Sequence, residues 1–159
     1  MGPYPGVRGG CAHVAGMRIF TIGYEGAAQA DVVDTLRAVG VTLLADIRAV
    51  PLSRRPGFSK NVLAAGLREA GIDYVGLKAL GTPPEGREAA RRHDLAGLTR
   101  FYAAQLDLPE AAVQAAQLRE LAAERPTALL CFEREPACCH RSLLVASVFP
   151  DAEVIDLFV

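Results

Sequence analysis

From Met17 onward, short apolar runs alternate with stretches whose apolar residues recur every three or four positions. Residues 17–22 (MRIFTI) are an apolar run closed by Gly23, which predicts a strand. Val32, Val33, Leu36 and Val39 fall at helical spacing, with Asp31 near the start and Gly40 just past the end. Residues 28–39 therefore read as a helix. Residues 41–47 (VTLLADI) form a second strand, apolar enough to be buried on both faces. Ser59 stands where it can cap a helix over 60–70, and Gly71 ends that helix. Residues 72–75 (IDYV) make a short third strand.

A helical region without strands follows. The turn LGTPPEG (80–86) leads into a charged stretch, 87–94. Leu95, Leu98, Phe101 and Tyr102 mark one helix. Pro109 suits the first turn of another, which carries Ala111, Ala115, Leu118, Leu121 and Ala122 and stops at Pro126. Residues 127–132 (TALLCF) are a fourth strand, 140–148 a short apolar helix closed by Pro150, and 153–157 (EVIDL) a fifth strand. Strands alternating with helices predict mostly parallel pairing through right-handed crossovers. The expected product is a single three-layer α/β/α domain over 17–159, with a mostly parallel sheet of about five strands. Residues 1–16, rich in Gly and Pro and without periodicity, read as a tail that includes Cys11 and His13. Met17 is a candidate start of the native chain.

Composition narrows the class. Of 159 residues, 51% are hydrophobic and 22% charged, enough apolar material for one sizeable core. That excludes a disordered or disulfide-stapled chain. No apolar run reaches the ~20 residues of a membrane span. A net charge of -1 argues against a nucleic-acid binder driven by bulk charge. The four cysteines are Cys11, Cys131, Cys138 and Cys139, with no CxxC pair, and residues 1–16 lack the long apolar stretch expected of a secretory leader. A reducing cytoplasm with all four thiols free is the default expectation, and a bridge between neighbouring Cys138 and Cys139 would be strained. Cys131, Cys139 and His140 are a conceivable zinc set, but their spacing matches no standard finger or ribbon. The expectation is therefore no tightly bound zinc and no cofactor.

Ligands of open parallel sheets bind beyond the carboxyl ends of the strands. The unusual polar residues follow three of the predicted strands. They are Tyr24 and Glu25 after the first; Asp46, Arg48, Ser53, Arg54 and Arg55 after the second; and Cys131, Glu133, Cys139, His140 and Arg141 after the fourth. Segment 47–60 (IRAVPLSRRPGFSK) holds four basic residues and no acid, and it opens a helix. It suits an oxyanion at a helix N-terminus, or equally a solvated basic loop or an internal salt-bridge partner for Glu25 and Glu133. Asp46 ends an apolar strand and needs a partner, with Arg48 the nearest. It reads as a structural buttress or as a catalytic base. His140 and Arg141 begin a helix, where the dipole disfavours cations, so a negative partner is expected: Glu133, a substrate anion, or both. Cys139, close to that helix start, has the position of an activated thiol or of a packed cap residue. Arg141 lies too far from Cys131 for the short Cys-to-Arg loop of phosphatases, and Cys131 also reads as core.

The segments TIGYEG (21–26), ADIRAVPLSRRPGFSK (45–60), GIDYVGLKALGTP (71–83) and CFEREPACCHR (131–141) together resemble the bacterial and archaeal family named domain of unknown function 488. The resemblance runs over about 17–157. It rests on Gly23, Tyr24, Asp46, Arg48, Pro51, Ser53, Arg54, Phe58, Leu80, Gly81, Cys131, Glu133, Cys139, His140 and Arg141. It implies a cytosolic α/β domain and no particular reaction. The first functional reading is a hydrolase or group transferase for a small anionic, phosphate- or nucleotide-like molecule. In it Glu133, Asp46, His140 and Cys139 are the catalytic candidates, and Tyr24, Glu25, Arg48, Ser53, Arg54 and Arg141 hold the substrate. The alternatives are a thiol-dependent sulfur-transfer enzyme and a non-catalytic ligand-binding module. Nucleic acid is a less favoured partner, and no membrane is expected.

Overall fold

A computed structural model describes residues 16–159, apart from the Cys138 side chain. Apart from Gly16, the expected tail with Cys11 and His13 lies outside the described residues. The chain runs β1 (Arg18–Gly23), α1 (Gln29–Ala38), β2 (Leu43–Asp46), α2 (Lys60–Glu69), β3 (Asp73–Gly76), α3 (Pro84–Arg91), α4 (Leu95–Leu106), α5 (Pro109–Glu124), β4 (Thr127–Cys131), α6 (His140–Val148) and β5 (Glu153–Leu157). All pairings are parallel, in the order β3-β2-β4-β1-β5. Among the described residues no helix is long and apolar enough to cross a membrane.

The period-two alternation of the strands splits the core in two. Phe20, Ile22, Leu44, Ala128 and Leu130 face α1 and α2, packing on Val32, Leu36, Leu63 and Leu67. Ile19, Ala45 and Leu129 face the other way, onto Tyr102 of α4, Leu118 of α5 and Leu144 of α6. These are the three layers expected. Gly40 and Gly71, at φ 80° and 77°, end α1 and α2 in the left-handed region that favours glycine.

β1 and β4 are neighbours, but their connections diverge. β1 leaves through α1 on one face toward β2, whereas β4 leaves through α6 on the other face toward β5. Such a divergence opens a crevice beyond the strand ends, the usual ligand position in open α/β sheets. Two bonds stitch the loops at its floor: Tyr24 N–H donates to the Cys131 carbonyl (3.4 Å) and Glu25 N–H to the Phe132 carbonyl (2.8 Å).

Two local features differ from expectation. Ser59 occupies the cap position of α2 without capping it, because its hydroxyl is engaged with Ser53, accepting from the amide at 3.1 Å and donating to the carbonyl at 3.2 Å. Part of the charged stretch 87–94 forms the helix α3, opened by Pro84 and packed on α4.

Candidate functional site

At Gly23 the chain of β1 passes directly under the 133–134 backbone. A Cβ there would overlap the Glu133 carbonyl oxygen. Gly23→Ala is expected to cost about 1–3 kcal/mol through overpacking, read by urea denaturation, and to displace Glu133.

Asp46 and Arg48 form a buried ion pair. The carboxylate accepts Arg48 N–H (3.1 Å), Nε (2.8 Å) and Nη2 (2.7 Å), and also the Tyr74 hydroxyl (2.5 Å). Arg48 Nη1 donates to the Tyr24 hydroxyl (3.2 Å) and the Phe58 carbonyl (2.7 Å). Burial works against the Arg48 charge, but Asp46 and Tyr24 outweigh it and hold the guanidinium above its ordinary value. Burial, reinforced by the Asp46 carboxylate, likewise raises the Tyr74 hydroxyl. Tyr24 stacks on Phe58 with centroids 4.4 Å apart and meets Phe132 edge-on at 5.4 Å. Asp46 thus anchors the aromatic wall of the crevice.

Arg141 is fully buried. Its Nη2 donates to the carbonyls of Glu133 (2.5 Å) and Arg134 (3.3 Å), and its Nη1 to the Thr21 hydroxyl (3.3 Å), which in turn donates to Asp156 (2.5 Å). Backbone carbonyls and a hydroxyl are therefore its hydrogen-bond partners, rather than the Glu133 carboxylate. Burial lowers the guanidinium from its ordinary value, while Asp156, Glu133 and Glu135 act in the opposite sense.

The thiols hold the main correction. Cys131 and Cys139 are joined by a disulfide, with Cα atoms 7.5 Å apart. Free thiols were expected at both positions. Segment 132–138 folds back through a short 3-10 turn at Pro136–Cys138 and lays Cys139 over the end of β4. Separation along the chain does not reveal that return. Electrospray mass under denaturing, non-reducing conditions should be lower by two hydrogens than after reduction, and iodoacetamide should label both residues only after reduction.

Cys139 caps α6, its sulfur accepting from Arg141 N–H at 3.4 Å. His140 Nδ1 lies 3.6 Å from that sulfur and Nε2 lies 2.9 Å from the Ile47 carbonyl. Burial pushes the imidazole down to about 4, so it is neutral near pH 7. Glu133 Oε2 sits 3.5 Å from Cys131 Sγ, and burial raises its carboxyl above the usual range. The two sulfurs and a His140 ring nitrogen lie within 4.8 Å of one another, a donor set compatible with a metal ion.

Two adjoining cavities open above this cluster, about 560 and 230 Å³, sharing Thr82, Arg87, Phe132, Glu133 and His140 in their walls. Tyr24, Arg48 and Cys131 line the smaller; Glu25, Arg91, His93 and Cys139 line the larger. Tyr24, Glu25, Arg48, Glu133, Cys139 and His140 are thus brought to one crevice. Asp46 lines a separate 190 Å³ recess with Lys60 and Tyr74, while Ser53 and the exposed Arg54 line none of these cavities.

The sequence reading passed over Thr82, Arg87 and Arg91. Gly81 packs directly against the Ala49 backbone, which lays the 80–83 turn across the loop after β2 and aims α3 at the crevice. The TPP step after an apolar turn was the available signal for a helix start. A family model described as domain of unknown function DUF488 matches residues 29–148. The chain belongs to the DUF488 family. The match takes in the Asp46–Arg48 pair, the 80–83 turn and the cysteine segment, and leaves out β1 and β5. Neither the curated proteins nor the solved structures compared with it yield a match. DUF488 membership assigns the chain no reaction.

Proposed function

We propose that this protein is a thiol-dependent group-transfer enzyme acting on a small anionic, sulfur-bearing molecule in the crevice, in the reducing cytoplasm. The observation that carries the reading is the Cys131–Cys139 bridge beside His140 in the crevice wall. Buried structural cysteines are inert, whereas bridges in a reducing compartment are usually catalytic or redox-sensing. In the reduced state the α6 amide that points at Cys139 favours its thiolate. Arg87 in the cavity wall supplies positive charge for the anion, while Arg91 beside it is paired with Glu88.

The chemistry balances as follows. The Cys139 thiolate attacks the outer sulfur of a persulfide donor RSSH, giving a Cys139 persulfide and RS⁻. The Cys131 thiolate then attacks Cys139 Sγ, closing the disulfide and releasing HS⁻. A dithiol reductant returns both thiols and leaves as its own disulfide.

The test supplies a low-molecular-weight persulfide with excess dithiol and measures sulfide release. Cys139→Ser should abolish turnover, whereas Cys131→Ser treated with the persulfide in the absence of dithiol should retain the added sulfur on Cys139, visible by mass. A second reading, acid–base hydrolysis of an anionic substrate, is favoured by the raised Glu133 carboxyl in the same crevice. It predicts the reverse: turnover of such a substrate that survives Cys139→Ser and fails in Glu133→Gln. Persulfide turnover undiminished in Cys139→Ser would refute the thiol reading.

A further inference from the structure

We propose that the reduced Cys131 and Cys139 pair, with His140 and Glu133, is a binding site for a thiophilic divalent cation of the zinc type. The inference does not rest on the group-transfer reading; it concerns the same cluster with its disulfide opened. Three donors, the two sulfurs and a ring nitrogen of His140, are buried and lie within 4.8 Å of one another. Zinc–sulfur bonds of ~2.3 Å place two thiolates of a tetrahedral site about 3.8 Å apart, inside that envelope.

The imidazole is held as metal-binding histidines usually are. A carbonyl can only accept, so the contact from His140 Nε2 to the Ile47 oxygen at 2.9 Å puts the proton on Nε2. Nδ1 is then left with its lone pair, 3.6 Å from Cys139 Sγ. A backbone carbonyl behind the ring fixes tautomer and orientation in this way at many metal centres. Glu133 Oε2, 3.5 Å from Cys131 Sγ, offers a fourth donor or a partner for a bound water. Two thiolates and an imidazole select a borderline-soft cation and disfavour magnesium and calcium.

The donors also sit on rigid elements. Cys131 ends β4, while Cys139 and His140 begin α6. The site is therefore largely formed before metal arrives. Reduction of the bridge takes two electrons and two protons from a reductant. Binding M²⁺ then displaces two thiol protons, so disulfide and metal are mutually exclusive.

The experiment uses the full chain reduced by a phosphine, which does not compete as a thiol. Zinc is titrated against a chromophoric chelator, and cobalt(II) serves as the spectroscopic probe. The expected result is one equivalent per reduced chain, with thiolate-to-cobalt charge transfer and tetrahedral d–d bands. The oxidised chain should bind at least 100-fold more weakly, as should Cys131→Ser and Cys139→Ser. His140→Gln should keep the charge-transfer band and alter the d–d envelope. Should the variants unfold, alkylation of reduced wild type decides: saturating zinc should protect Cys131 and Cys139, read by peptide mass. Reduced protein that binds no better than oxidised, or equal alkylation with and without zinc, would overturn the proposal. Persulfide turnover is measured without added metal, so failure of either proposal leaves the other measurable.

Discussion

Asp46→Ala is expected to destabilise the protein by about 3–5 kcal/mol, the range for breaking a buried ion pair from one side. Asp46 is 1% exposed and Arg48 6%, so little water reaches the guanidinium once its carboxylate is gone. Tyr24 and Phe58 still accept from Nη1, but Nε, Nη2 and the Arg48 amide all lose their acceptor. The Tyr74 hydroxyl loses its acceptor too. The midpoint of thermal unfolding should fall by roughly 10 °C, taking 2–4 °C per kcal/mol for a domain of this size. Asp46→Asn keeps volume and one acceptor oxygen and should lose less. Asp46→Leu combined with Arg48→Met removes both charges and should recover much of the loss, since a buried pair is often replaceable by apolar groups. Reversible urea unfolding measures all three. An Asp46→Ala change below about 1 kcal/mol would show that the guanidinium finds other partners, and the buttress role would fall.

The fold was legible because each element carried its own signal. Val32, Val33 and Leu36 sit on one helical face and are buried together, and the TALLC run is buried along its whole length, as a central parallel strand should be. Strand order was not legible, because nothing local distinguishes β4 inserted between β1 and β2 from β4 at an edge. α3 was harder to see because its apolar stripe is short: only Gly86 and Ala89 are buried. Charged positions on an exposed helix resemble a solvated loop when the buried face is that small.

The site was legible in position and less so in roles. Tyr24, Glu25, Arg48, Glu133, Cys139 and His140, which follow separate strands, line the β1/β4 crevice, whereas Asp46, Ser53, Arg54 and Arg141 do not. Charge in a sequence does not show its partner, however. Arg48 had an acid two residues away and engages it. Arg141 was read as needing a negative partner at a helix start, and what it finds is the negative end of two carbonyl dipoles in the loop just before its helix. The cysteines were missed for a related reason. Their pairing depends on how the Pro136–Cys138 turn returns the chain, a three-dimensional fact with no spacing signature.

Arg141→Ala is expected to be comparably damaging, on the order of 4 kcal/mol, from unsatisfied carbonyls plus the cavity left behind. Among the described residues, Arg141 is the largest fully buried side chain. Its fork fixes the Glu133 and Arg134 carbonyls, and through them the loop that presents Glu133 beside Cys131. The loss should therefore be felt in two ways. Global stability falls, and the 132–138 loop exchanges amide hydrogens faster even where the sheet stays protected. Arg141→Lys keeps the charge but lacks the planar fork, so one ammonium must replace donors aimed at two carbonyls and a hydroxyl. Less than half of the stability should return, and the loop should stay fast. A neutral network of the same shape does not test this, because Arg141 Nε is buried without a partner and already marks the fit as imperfect. The decisive measurement is hydrogen exchange on folded Arg141→Lys. Protection of the 132–138 amides at wild-type level would mean that the loop is held by the Cys131–Cys139 bridge alone. In that case reduction of the wild type should release it, while reduction should leave it ordered if the guanidinium is the clamp.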